Sequence, residues 1–166
     1  MQYISSDTNV WVDFAQIHRL ALPFRLGYTY CMSTDTVEDE LLEPPGIREQ
    51  LLTLGLAPLE IDETEFEIAL QLGISYKKLS IYDRLALAIA KHRGFILLSG
   101  DGALRRAAQK EGIEVRGTLW IFDQLLETGE ITLDEYHAAM IDIRDDVSGK
   151  IRLPKEEILK RIAREA

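Results

Sequence analysis

The chain has one cysteine in 166 residues, so no intrachain disulfide can staple it. Cys31 lies in the apolar segment Tyr28-Thr29-Tyr30-Cys31-Met32, where a thiol is expected to act as a small buried hydrophobe. Long hydrophobic runs are also missing. The longest of interest, Leu85 to Ala90, falls far short of the roughly 20 residues that a membrane helix needs. No charged start followed by an apolar stretch and a cleavage site marks a signal peptide, so the expected location is the cytoplasm. His18, His92 and His137 are scattered and lack partner cysteines, which argues against zinc. Basic residues are scarce at first: residues 1–75 carry 3 Lys and Arg against 13 Asp and Glu, whereas residues 76–166 carry 16 against 15. With a net charge of −9, nucleic-acid binding through a broad basic surface is disfavoured.

What is present fits one domain with a real core, since 46% of the residues are apolar and 28% charged. Tyr3 and Ile4 form a short strand signal that leads to Asp7, and Val10, Trp11, Phe14 and Ile17 follow at helical spacing. Further strands are expected at Tyr28–Met32, at Leu56–Ile61 (an edge strand, because Pro58 cannot donate to a ladder), at Phe95–Leu98 and at Ile113–Val115. Between them lie a helix through Val37, Leu41 and Leu42, a short one over Ile47–Leu54, and one from Asp62 to Gly73. Ser80-Ile81-Tyr82-Asp83 has the form of a capping box before an almost wholly apolar, hence buried, helix. The run Phe95-Ile96-Leu97-Leu98 reads as a strand covered on both faces. Another helix follows over Ala103–Glu111, and two more over Thr118–Leu126 and Thr132–Ile143. A last amphipathic one starts at Pro154. Strand and helix alternate, so the class is α/β with a parallel sheet.

Four acids fall at related places. Asp7 follows the first strand and Asp101 the fourth, Glu40 lies in the helix after the second strand, and Asp83 opens the buried helix. Strand ends and helix starts converge at one edge of an open α/β sheet, where ligands sit. Each acid has a plain alternative as a helix cap or a solvated surface group. Four carboxylates gathered at one edge would repel unless cations neutralised them. Hard oxygen ligands suit Mg²⁺ or Mn²⁺, and such sites hydrolyse phosphodiesters.

The series Ser6-Asp7-Thr8-Asn9, Thr36-Val37-Glu38-Asp39-Glu40-Leu41, Ser80-Ile81-Tyr82-Asp83 with Leu85-Ala86-Leu87-Ala88-Ile89-Ala90, and Ile96-Leu97-Leu98-Ser99-Gly100-Asp101 resembles the PIN domain. It is similar in particular to small stand-alone prokaryotic PIN proteins, including VapC-type toxins. The resemblance implies a three-layer α/β/α fold with a central five-stranded parallel sheet of order 3-2-1-4-5. It places a PIN-like nuclease domain at residues 1–128 and a C-terminal helical extension at 129–166, packed on the domain or on a partner. It also implies a Mg²⁺ or Mn²⁺ ribonuclease centre at Asp7, Glu40, Asp83 and Asp101, with Asn9 and Ser99 supporting the site or meeting RNA. The function implied is an endoribonuclease, the toxin of a toxin–antitoxin pair, forming a homodimer and bound by an antitoxin protein.

Glu43, three residues past Glu40, is expected near the same helix face. Arg105, Arg106, Lys110, Lys77 and Lys78 are candidates for steering RNA, and Tyr28, Trp120 and the Leu153–Ile162 helix for an interface. A haloacid-dehalogenase-like phosphatase needs a second acid where this chain has Asn9, and no dinucleotide fingerprint or nucleophile elbow is present. The reading from a different class is a catalytically weak or inactive PIN-fold module that binds RNA or protein.

Overall fold

The computed structural model describes residues 2–165. Five strands form one sheet: β1 (Tyr3–Ser6), β2 (Thr29–Ser33), β3 (Ala57–Leu59), β4 (Ile96–Leu98) and β5 (Val115–Arg116). Their order is β3-β2-β1-β4-β5 and every pairing is parallel. β1 therefore lies at the centre, with Ser5 in register with Cys31 on one side and Leu97 on the other. Nine helices flank the sheet among the described residues: α1 (Thr8–Gln16), α2 (Thr34–Glu40), α3 (Ile47–Leu54), α4 (Glu63–Ser75), α5 (Ile81–Arg93), α6 (Gly102–Lys110), α7 (Thr118–Glu127), α8 (Leu133–Asp145) and α9 (Lys155–Ile162).

Strand alternation builds two cores from one sheet. Ile4, Tyr30, Met32, Ile96 and Leu98 point into the larger one, where Trp11 and Phe14 of α1, Phe122 of α7 and Met140 of α8 meet them. Leu97 points into the other, formed with α4, α5 and α6. This is a three-layer α/β/α arrangement. α5 is starved of polar residues between Leu85 and Ala90, all of them buried, as the sequence requires. Ser5, on the same sheet face as Leu97, satisfies its hydroxyl by donating to the Ala86 carbonyl at 2.8 Å.

Several boundaries differ from the sequence expectation. The helix expected to carry Leu41 and Leu42 stops at Glu40, because Leu41 leaves helical geometry (ψ 64°) while remaining buried in the larger core. Glu43 therefore does not continue a helical face beside Glu40. α4 runs past Gly73 to Ser75, and the side chain of Arg84 fills the space that a Cβ on Gly73 would need. β5 begins at Val115 rather than Ile113, which packs against the smaller core. The stretch between α1 and β2 contains a short 3₁₀ helix, Leu22–Leu26.

Candidate metal centre

Asp7 is the N-cap of α1, and its place is fixed by the sheet: its backbone N–H donates to the Leu98 carbonyl at 2.9 Å. The Thr8 N–H donates to one carboxylate oxygen at 2.8 Å, and the Ser99 hydroxyl donates to the other at 2.9 Å. That hydroxyl also accepts the Asp101 N–H at 3.1 Å, so a single serine ties the ends of β1 and β4 together. Asp101 caps α6 by accepting the Leu104 N–H at 2.9 Å. On the other side of Asp7, the Thr8 hydroxyl donates to Glu40, the last residue of α2, at 3.0 Å. Asp83 completes the capping box of α5 with Ser80. Tyr82, next to it, donates to Asp39 at 2.8 Å and so holds the start of α5 against α2.

The four acids share one electrostatic field. Burial first, then the charge of Asp83, pushes the Asp7 carboxyl up to about 7, against the lowering effect of its Ser99 and Thr8 hydrogen bonds. Glu40 is raised by burial and by Asp83, with its Thr8 hydrogen bond opposing. Asp83 is raised by burial and by Asp101, with its Ser80 bonds opposing. Among the described residues none of the four has an ion-pair partner. Asn9 makes no hydrogen bond to the acids. It is exposed and lines a cavity of about 520 Å³ with Asp13, Asp101, Lys150 and Arg152.

The profile of a family described as a PIN domain matches residues 3–165. The chain belongs to the PIN domain family. No curated protein and no solved structure matches it. PIN domains are generally nucleases that use divalent metals.

In this PIN domain the donor set at the sheet edge fits a divalent cation: all oxygen, crowded with like charge, and without an ion pair among the described residues, only the Arg84 charge partly offsetting that of Asp83. The most compact group of potential ligands lies elsewhere. Among the described residues, Asp62, Glu65 and His92 bring ligand atoms within 4.8 Å of one another. Glu65 is fully buried, but Arg93 already grips both of its oxygens, at 2.6 and 3.0 Å. That hydrogen-bonded guanidinium holds the Glu65 carboxyl down at about 2. A metal ion there would have to displace a bound arginine, so this cluster joins α4 to α5 and makes a poor cation site. Its histidine contact was not evident from sequence, because His92 meets Glu65 only once the two helices pack. The four edge acids spread over a wider site, each held by its own cap or hydroxyl. Thr8 carries no role in the sequence reading, and Arg105 figures there only as a candidate for steering RNA, not as a support of the acids. Thr8 serves both Asp7 and Glu40, and Arg105 donates to the Ser99 carbonyl at 2.8 Å. The Asp-Thr pair at a strand-to-helix turn was the available signal for Thr8; nothing local signalled the contact of Arg105 with the Ser99 carbonyl.

Proposed function

We propose that this PIN domain is a Mg²⁺- or Mn²⁺-dependent endoribonuclease. The observation that carries the reading is Asp7: a buried, raised carboxyl in the field of Asp83 and Glu40 and tied through Ser99 to Asp101. Asp7, Asp83 and Asp101 would hold the metal, and Glu40 would complete the site or orient the water. When bound, such an ion lowers the pKa of a coordinated water and stabilises the oxygen that leaves the phosphodiester. The protein's own part is positional. Ser99 and Thr8 fix both oxygens of Asp7, which leaves it little freedom to rotate away. Glu40, held by the Thr8 hydroxyl and with its affinity for protons raised, is suited to take a proton from the attacking water. Asn9, exposed and lining the same cavity as Asp101, would meet the substrate.

The further reading, a toxin component that forms a homodimer and is held inactive by an antitoxin, rests on the likeness of the motif series to VapC-type proteins. The two-part division, with residues 129–166 as a helical extension of a 1–128 nuclease domain, rests on the same likeness. The wide spacing of the acids favours one alternative: a PIN-fold module that binds RNA or protein and cleaves weakly or not at all.

Mn²⁺ calorimetry on the wild type beside Asp7→Asn and Asp101→Asn, followed by RNA cleavage in the same buffer, tests the proposal. Loss of both binding and cleavage in the variants, with an unchanged circular dichroism spectrum, is the expected result. Wild-type binding without cleavage would favour the module. Failure of the wild type to bind Mn²⁺ would return the four acids to capping roles.

A further inference from the structure

A second cavity, of about 720 Å³, adjoins the acidic edge and shares Gly100, Gly102, Arg152 and Leu153 with the cavity that holds Asn9 and Asp101. Its character is opposite to that of the acid site. Arg105, Arg116, Arg152 and Arg161 line it, together with Trp120. Arg161 is spoken for, since it pairs with Asp123 at 2.7 Å and with Glu157 at 3.2 Å, so the cavity's own acids are already balanced. The other three arginines are short of anions. Arg105 is half-buried with the Ser99 carbonyl as its hydrogen-bond partner. Arg116 has an exposed contact at 3.3 Å with Glu114, of a kind that contributes little. Among the described residues Arg152 has no ion-pair or hydrogen-bond partner. Burial and the nearby Arg116 charge both lower the proton affinity of Arg105, as expected where guanidinium groups crowd.

An aromatic is interleaved with these cations. Trp120 stacks on Tyr28 with centroids 5.8 Å apart, and the Arg116 guanidinium lies 5.7 Å from its ring centroid. Guanidinium groups beside an aromatic plane, in a cleft continuous with the cavity that holds Asn9 and Asp101, match the chemistry of a single strand: phosphates for the arginines and a base for the aromatic surface.

The geometry points to this cleft as the track of a single-stranded nucleic acid running from the acidic edge, its phosphates held by Arg105, Arg116 and Arg152 and a base lying against the Trp120 and Arg116 surface. The assignment builds on the nuclease reading above. It also divides the basic residues singled out in the sequence: Arg105 faces the track, whereas Arg106, Lys110, Lys77 and Lys78 line a separate hollow of about 190 Å³.

The test is fluorescence anisotropy with a short labelled single-stranded RNA in EDTA, paired with Mn²⁺-dependent cleavage of the same RNA. Arg116→Gln and Arg152→Gln should each weaken binding about fivefold at 0.1 M salt and lower the salt slope by about 0.7, the value for one single-strand phosphate contact. Lys78→Gln should bind as the wild type does. The fluorescence of Trp120 should change on binding in the wild type. A mononucleotide that bound as tightly as the strand would overturn the track, as would unchanged binding by both arginine variants. Equal weakening by Lys78→Gln would also overturn it, by showing diffuse charge attraction. The two readings fail separately. Arginine-dependent binding with no Mn²⁺ cleavage would sink the nuclease and leave the track. Metal-dependent cleavage indifferent to Arg116 and Arg152 would do the reverse.

Discussion

Asp13 shows how a single buried acid ties stability to pH. It is 4% exposed on α1 and accepts the Thr118 hydroxyl at 2.7 Å, and burial pushes its carboxyl up to about 6. The folded protein therefore holds this proton more tightly than the unfolded chain, whose Asp titrates near 3.8. Its contribution is fully present below about pH 4 and is lost as pH rises through about 6. Asp13→Asn should remove that loss. In urea unfolding across this range, the variant should gain on the wild type as pH rises, by up to about 3 kcal/mol. A constant difference between the two would show that Asp13 is ionised throughout. At the same scale, Ser99→Ala deletes the hydroxyl that serves both Asp7 and Asp101. If these acids hold the metal, calorimetry should record Mn²⁺ affinity about 10- to 100-fold weaker. Unchanged affinity would place the metal elsewhere.

At the scale of elements, α5 carries the most constraint. It packs on α4 and on the sheet, and its first turn presents Asp83 to the acidic edge. Ser80→Ala removes half of a reciprocal cap and should cost about 1 kcal/mol. Leu87→Ala empties a fully buried position and should cost about 2–5 kcal/mol, both read by urea unfolding. The capping box was legible in the sequence because Ser80 and Asp83 are three residues apart and meet in one turn. So was burial of the Leu85–Ala90 run. The end of α2 was not legible. Val37, Leu41 and Leu42 keep helical spacing, but burial of Leu41 beside the following prolines pulls the chain out of the helix after Glu40. Strand ends failed for a related reason: alternation shows which face a residue takes, not where a neighbouring strand supplies hydrogen bonds.

At the scale of the molecule, α8 and α9 are part of the larger core. Tyr136, Ala139, Met140 and Ile143 of α8 are buried there, and so is Ile158 of α9. Arg161 of α9 reaches α7 to grip Asp123, which also accepts the Tyr136 hydroxyl at 2.7 Å. A chain ending before Lys155 would lose Ile158, whose burial contributes roughly 1.5–3 kcal/mol, and would leave the half-buried Asp123 with the Tyr136 hydroxyl but without its Arg161 partner. Thermal unfolding should show a clearly lower midpoint for the truncated chain. An unchanged midpoint would mean that α9 contributes no stability to this body and is free for a partner.

The sequence by itself determined the α/β class and the buried helix and singled out four acids as candidates, while the strand order came only from the resemblance of its motif series to the PIN domain. The class, the helix and the acids depend on local signals: a period of two or near four, a cap at fixed spacing, an acid straight after a strand. The tertiary structure decided what those acids meet. Ser99 lies 92 residues from Asp7 and Glu40 lies 32 from Thr8, yet both pairs are within hydrogen-bond distance. Arg93 neutralises Glu65 from 28 residues away, which separates a bridged structural cluster from the unpaired acidic edge. The same packing drew Arg105, Arg116 and Arg152 from three different segments to one wall. Charge balance and burial are properties of neighbours in space, and neighbours that distant in the chain have no spacing to read.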